Sequence, residues 1–486
     1  MNDAHVQMID YVRSRFGERA VVTDPAEIEP WVTDWRGKFH GTASAILAPS
    51  STDEAAAMVR MAAELGVPLV PQGGNTGMVG GATPPQDGSA LILSLRRMNQ
   101  IRAIDAEAGV AIAEAGVILA TLHDAAEEAG KRFPLTLGAR GSCTVGGLVS
   151  TNAGGTQVLR FGTMRALVLG LEAVLPDGAI HDGLSGLKKD NRGYNLDQLM
   201  VGAEGTLGIV TAAALRLVPS VSGRAVAWLG VGTPTNALAV LRELERGTSH
   251  VEGFEIVPDD CLALVLKHIP GTRAPLEGQH AWHVLIELTD DGSLAEGPDA
   301  LLARLLAPLI DNGLVEDAVI AASEAQSEAF WRIRDSISGA ERTEGPTLAH
   351  DISVPVNAMP EFMVAAAHDV ERAFPGTIAS GFGHLGDGNV HFHARPGPAM
   401  PDDQFAAQSP AITHLVHDLV TAAGGSISAE HGIGQMKRDE LARLAPQRVA
   451  ALKAIKHALD PKGIMNPGKL IQDWRARLDS NQRPHA

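Results

Sequence analysis

Gln72-Gly73-Gly74-Asn75-Thr76-Gly77-Met78-Val79-Gly80-Gly81 follows the apolar run Pro68 to Pro71 without a break. Five glycines in nine positions, Gly73 to Gly81, leave a row of unhindered backbone N–H groups. Only glycine lets main chain close on a ligand without a Cβ in the way. Such a nest binds an anionic diphosphate without lysine, and nothing in the stretch is basic. A glycine-rich surface turn is the bland alternative, but it needs fewer glycines than these. Upstream, Ala43 to Pro49 reads as a strand, and Asp53 to Leu65 as an alanine-rich helix capped by Ser51 or Thr52. With the strand Pro68 to Pro71 this makes a β-α-β start. Downstream come a strand at Leu91 to Leu95, alternating strands at Ile101 to Asp105 and Val110 to Glu114, and a helix from Leu119 to Ala129. A second glycine-rich region, Leu137 to Gly162, precedes the strand Val168 to Leu175 and its turn Pro176-Asp177-Gly178.

The chain has 486 residues, enough for two or three domains. Its 57 acidic against 40 basic residues, a formal charge of −17, give no footprint for nucleic acid or anionic lipid. Cys143 and Cys261 stand in no metal or redox spacing, so a reducing cytoplasm is expected. The residues Met1 to Arg13 show no export pattern, and no apolar run reaches spanning length, so no membrane insertion is expected. From Arg224 the texture changes to strand and helix units, Ala225 to Val231 with Asn236 to Arg246, and Trp282 to Leu288 with Leu301 to Ile310. Helices are expected at Ser323 to Ile337, Ala411 to Ala423 and Val449 to Leu459.

Gly381-Phe382-Gly383-His384-Leu385-Gly386 matches G-x-G-x-x-G by spacing. It leads into Asp387-Gly388-Asn389 and the run Val390-His391-Phe392-His393, a turn and strand rather than a helix, so a Rossmann site is rejected.

Four segments carry a resemblance. They are Pro71-Gln72-Gly73-Gly74-Asn75-Thr76-Gly77, Leu137-Gly138-Ala139-Arg140-Gly141-Ser142 with its continuation Gly146-Gly147-Leu148-Val149-Ser150-Thr151-Asn152-Ala153-Gly154-Gly155, and Val201-Gly202-Ala203-Glu204-Gly205-Thr206-Leu207-Gly208-Ile209. Together they resemble the vanillyl-alcohol oxidase / p-cresol methylhydroxylase class of FAD proteins. Within it, Asp34-Trp35-Arg36-Gly37-Lys38 and the Gly74-Asn75-Thr76 form of the loop are similar to D-2-hydroxyglutarate dehydrogenases and nearby D-lactate dehydrogenases, over roughly Val32 to Ile471. The resemblance implies an α+β fold: a two-subdomain FAD-binding domain (1–219) of the p-cresol methylhydroxylase type, and an α/β cap or substrate domain (220–425) on a mainly antiparallel sheet. A segment 426–475 would return to the FAD domain, and a disordered tail would occupy 476–486. The first loop, with Met78 and Gly80, would hold the diphosphate. The region Leu137 to Gly162, with Gly141, Ser142, Gly147, Ser150, Asn152, Gly154 and Gly162, would line ribityl and isoalloxazine. Glu204, Gly205, Gly208, Ile209 and Asn466 complete the implied cofactor set. Some relatives tether FAD through a histidine; the glycine loops here contain none, so non-covalent binding is expected.

The C-terminal half holds His384, His391, His393 and the pair Glu430-His431. Two imidazoles and a carboxylate suit zinc, manganese or iron with positions left open. Spacing alone pairs His391 with His393, which share a strand face. The resemblance instead maps the metal ligands onto His384, His391 and Glu430, zinc first, and the catalytic base onto His431, leaving His393 as a pocket residue. A lone histidine is usually structural, but three beside glycine turns and a Glu-His pair shift that weighing. Asp387 is read as a turn cap. Arg334 matches the family arginine that grips a substrate carboxylate, and Ser338, four residues on, is expected on the same helix side. Two departures stand out: Ala349, where close relatives commonly have lysine, and His393, where they often place asparagine.

The implied reaction is oxidation of a small D-2-hydroxy acid, D-2-hydroxyglutarate before D-lactate, with hydride passing to flavin N5 and electrons going on to an electron-transfer flavoprotein or a quinone. A homodimer is left open. The rivals are a metal-dependent hydrolase using the same ligands and a non-catalytic flavin-carrying electron-transfer subunit.

Overall fold

The helix expected after Ser51 runs from Thr52 to Leu65 in the computed structural model, which describes residues 2–185, 187 and 189–472. Ser51 Oγ accepts from the Glu54 amide at 3.2 Å, and Gly66, at φ +69°, ends the helix in the left-handed region. Its small face, with Ala55, Ala56, Val59, Ala62 and Ala63 buried, packs close to Met8 and Val12 of the helix Asp3–Phe16. The strands Ile46–Leu47 and Leu69–Gln72 lie parallel on either side of Leu91–Ser94, which closes the β-α-β unit. The strand expected over Ala43 to Pro49 is only two residues long, because only Ile46 and Leu47 find partners on both sides.

A second sheet is antiparallel throughout, in the order Ile101–Asp105, Val110–Glu114, Ile209–Arg216, Val168–Val174, Ile180–Asp182. The helix Val145–Thr151 approaches it at Gly146, where a Cβ would come within 2.6 Å of the Ala115 Cβ. Both sheets belong to one compact unit, formed by the described residues up to Gly155, from Gly162 to Pro219 and from Glu430 onward. The tail expected at 476–486 lies outside the described residues.

The other unit, Thr156–Phe161 with Ser220–Ala429, is built on a seven-stranded antiparallel sheet. Its order is Asp317–Ile320, Gly223–Val231, Trp282–Asp290, Val251–Pro258, Thr377–His384, Asn389–Pro396, Leu348–Ser353. The period of two sorts side chains between the faces. Ala225, Ala227, Leu229, Phe254, Ile256, Val390 and Phe392 join one core cluster; Val226, Trp228, Val257 and Phe382 join another, with Phe330 and Ile333 of the helix Glu324–Asp335. The sequence places one helix over Ser323 to Ile337; it breaks at Ser336 into Glu324–Asp335 and Ile337–Glu344. The helix expected from Ala411 begins earlier, Asp402–Ala422, and carries Pro410 inside it. No helix among the described residues is long and apolar enough to cross a membrane.

Candidate active site

Within the first unit a cavity of about 350 Å³ opens among the glycine-rich segments, in the size range of small-molecule sites. A Cβ on Gly73 would sit 2.1 Å from Thr144 Oγ1, and one on Gly74 1.9 Å from the Ser142 carbonyl oxygen. The loop therefore lies flush against 142–144, a packing only glycine permits. Asn75, at φ +53°, is pinned through Nδ2 to the Thr33 carbonyl at 2.8 Å.

The loop residues from Pro71 to Met78 line the cavity, as do Leu137, Gly138, Gly147, Ser150, Gly154, Gly205, Gly208, Ile209 and Asn466. Gly80, Gly141, Ser142, Asn152 and Gly162 are not among the lining residues. Asn152 caps the helix Val145–Thr151 at φ +51°, its Oδ1 accepting from Thr163 Oγ1 at 3.0 Å and the Arg165 amide at 2.9 Å. Glu204 borders the cavity, but its carboxylate is turned to protein: Oε1 accepts from the Ile433 amide at 2.8 Å and Oε2 from the Gly434 amide at 2.7 Å. Burial pushes this carboxyl up, against the pull of those amides and of Lys437 and Lys469. Glu204 thus anchors the turn directly after Glu430 and His431, both of which line the cavity.

Sequence reasoning passed over Thr144. Its Oγ1 and the Asn466 Oδ1 are buried on the cavity wall without a hydrogen-bond partner among the described residues. A polar ligand answers both. The cradle that a Cβ would fill, the absence of acidic side chains from the loop and these two orphaned atoms fit a dinucleotide such as FAD.

In the second unit, the sheet face covered by Glu324–Asp335 and Ile337–Glu344 gathers the charged side chains. Register sets Glu255 opposite His384, Phe382 opposite His391 and Ser380 opposite His393. His384 Nδ1 donates to Glu255 Oε1 at 2.5 Å, and Arg334 Nε donates to Glu255 Oε2 at 2.8 Å. Arg334 Nη2 stands 3.4 Å from His384 Nε2, and its guanidinium lies 5.5 Å from the centre of the Phe382 ring. The rings of His384 and His391 are 5.4 Å apart, with one ligand nitrogen of each within 4.8 Å of the other. Glu255 is wholly buried; burial pushes its carboxyl up, but Arg334 and His384 outweigh that and hold it down at about 2. Burial, then the positive charge of Arg334, pushes the His391 imidazole well below its ordinary value. Two imidazoles whose nitrogens approach one another, with the buried carboxylates of Glu255 and Asp351 in the same unit, are of a kind that fits a divalent cation.

His393 turns to Glu341, bonding it through Nδ1. Asp387 Oδ1 accepts from the Asn389 amide at 2.9 Å, the turn-capping bond. Ser338 is half-buried on the helix Ile337–Glu344, which follows the break at Ser336. Glu255 was not found from the sequence, where it is one of two acids, with Glu252, within the otherwise apolar strand Val251–Pro258.

Residues 43–183 match the model "FAD binding domain", and residues 222–470 match "FAD linked oxidases, C-terminal domain". The protein is an FAD-dependent oxidoreductase. It is 38% identical over 467 residues to "D-2-hydroxyglutarate dehydrogenase, mitochondrial" of Arabidopsis thaliana, covering 95% of this chain and 81% of the relative. It is 36% identical to "D-2-hydroxyglutarate dehydrogenase" of Xanthomonas citri pv. viticola, covering 93% of this chain and 94% of the relative. The chain belongs to this family of FAD-linked dehydrogenases. The fold is shared with p-cresol methylhydroxylase in its substrate-bound crystal structure, at TM-score 0.73 and 16% identity, over 97% of this chain and 98% of that one.

Proposed function

We propose that the protein oxidises a D-2-hydroxy acid, D-2-hydroxyglutarate before D-lactate, to the 2-oxo acid. The observation that carries this reading is the guanidinium of Arg334 set 3.4 Å from the imidazole of His384. A 2-hydroxy acid presents a carboxylate and a hydroxyl on adjacent carbons; Arg334 offers a partner to the first, and a cation held by His384 would offer one to the second. Arg334 binds the carboxylate, its hydrogen bonds strengthened by charge. FAD, when bound, supplies the acceptor for the electron pair that leaves C2 with its hydrogen. A divalent cation held by His384 and His391, zinc before manganese or iron, would supply Lewis acidity to the hydroxyl. His431, on the cavity wall, takes the hydroxyl proton. Electrons pass on to an electron-transfer flavoprotein or a quinone.

The test is anaerobic single-turnover reduction. His431→Asn is expected to keep its FAD and to lose about 10²–10⁴-fold in the rate of flavin bleaching, the range for a general base. Unchanged bleaching refutes the assignment. Removing metal with a chelator is expected to stop reduction while leaving the oxidised flavin spectrum intact; indifference to thorough removal counts against the cation.

A further inference from the structure

The two groups proposed to receive the substrate come from separate elements, Arg334 from the helix Glu324–Asp335 and His384 from the end of the strand Thr377–His384. Their spacing has to match two functional groups one carbon–carbon bond apart, and neither element fixes it. Between them stands Glu255, on the adjacent strand, wholly buried, with one oxygen at 2.8 Å from Arg334 Nε and the other at 2.5 Å from His384 Nδ1.

We propose that Glu255 is a positioning residue: one carboxylate sets the distance between the carboxylate grip and the metal-binding imidazole, and fixes which His384 nitrogen carries the proton. The inference rests on the proposed roles of Arg334 and His384. An ionised carboxylate only accepts hydrogen bonds, so Nδ1 is the donor, and Nε2, which faces the Arg334 Nη2 donor at 3.4 Å, is placed as an acceptor with its lone pair. A partner of this kind behind a ligating histidine orients the ring and sets its tautomer. A carboxylate serving only to neutralise Arg334 would need no bond to His384.

Two substitutions separate the parts of the role. In Glu255→Gln the amide oxygen can still accept from Arg334 Nε, while the NH2 group faces Nδ1 and favours the tautomer with the proton on Nε2. Zinc affinity, measured by competition with a chromophoric chelator, is expected to fall about 10–100-fold. FAD content is expected to stay at the wild-type level. Glu255→Asp keeps an acceptor on a shorter arm, so it is expected to recover zinc affinity over Glu255→Gln while KM for D-2-hydroxyglutarate stays raised. Wild-type zinc affinity and wild-type KM in Glu255→Gln overturn the proposal. If that variant does not fold, Glu255→Asp decides, and a wild-type KM there overturns it. If the wild-type protein itself takes up no zinc, the reading of His384 as a ligand fails, a result separate from a failure of Glu255.

Discussion

Gly74 shows how little room the cradle has: a methyl group there would meet the Ser142 carbonyl oxygen at 1.9 Å, and a carbonyl in the backbone cannot swing aside as a side chain can. Gly74→Ala is therefore expected to shift the loop and lose FAD, read as visible absorbance retained after gel filtration. Wild-type retention would show that the loop is not the cradle. Arg334 supports a second expectation. Lysine keeps the charge but not the planar fork that reaches Glu255 and a substrate carboxylate together. Arg334→Lys should lower kcat/KM by about 10–100-fold, a loss of about 1.5–3 kcal/mol for hydrogen bonds between charged groups. Its FAD spectrum should stay unchanged. Equal kcat/KM would move the carboxylate grip elsewhere.

Helices and strands position these side chains through a few buried ties. Lys456, on the helix Pro446–Leu459, donates through Nζ to the Thr206 carbonyl at 2.7 Å, the Met465 carbonyl at 2.7 Å and Asp460 at 2.5 Å. It thereby holds the segment bearing Glu204 beside the one bearing Asn466. Lys456→Met leaves the buried Asp460 without its counter-charge, with only the Ile464 and Met465 amides as donors among the described residues, and is expected to cost about 3–5 kcal/mol, measurable by urea unfolding; a loss under about 1 kcal/mol would mean that the two amides suffice. Glu172 ties the strand Val168–Val174 to the helix Thr52–Leu65 by accepting from Thr52 Oγ1 at 2.5 Å, alongside Arg102 at 3.1 Å and Thr211 at 2.9 Å. Burial pushes its carboxyl up, but these donors outweigh that, and its folded value lies below the ordinary 4.5. A depressed carboxyl stabilises the fold fully above its unfolded value and loses that contribution as pH falls through the folded one. Thermal midpoints of Glu172→Gln should therefore fall less steeply than wild type below about pH 4.5, the ordinary glutamate value; parallel curves would remove Glu172 from the acid response. At this level the expected bounds shifted: the helix expected from Ala411 begins at Asp402 and carries Pro410 inside it, while the one expected over Ser323 to Ile337 ends at Asp335.

The cofactor cradle was legible from the chain because its cause is local: glycines that let backbone approach a ligand lie side by side in sequence. The β-α-β start was legible for the same reason, as cap, helix and strand follow one another. Glu255 was not, since it meets His384 across 129 positions and only the sheet register brings them together. The role of Glu204 was half hidden in the same way, because its oxygens bind amides 229 and 230 positions further on. Motif resemblance placed it by the flavin, and the fold turned its carboxylate toward the His431 turn. The reaction as a whole is tested most directly by anaerobic titration of the purified protein with D- and L-2-hydroxyglutarate and D-lactate, recording the visible flavin spectrum. The D acid is expected to bleach the flavin, D-2-hydroxyglutarate at lower concentration than D-lactate, and the L acid to leave it oxidised. Flavin that stays oxidised with every 2-hydroxy acid, in protein holding both FAD and metal, would contradict the account.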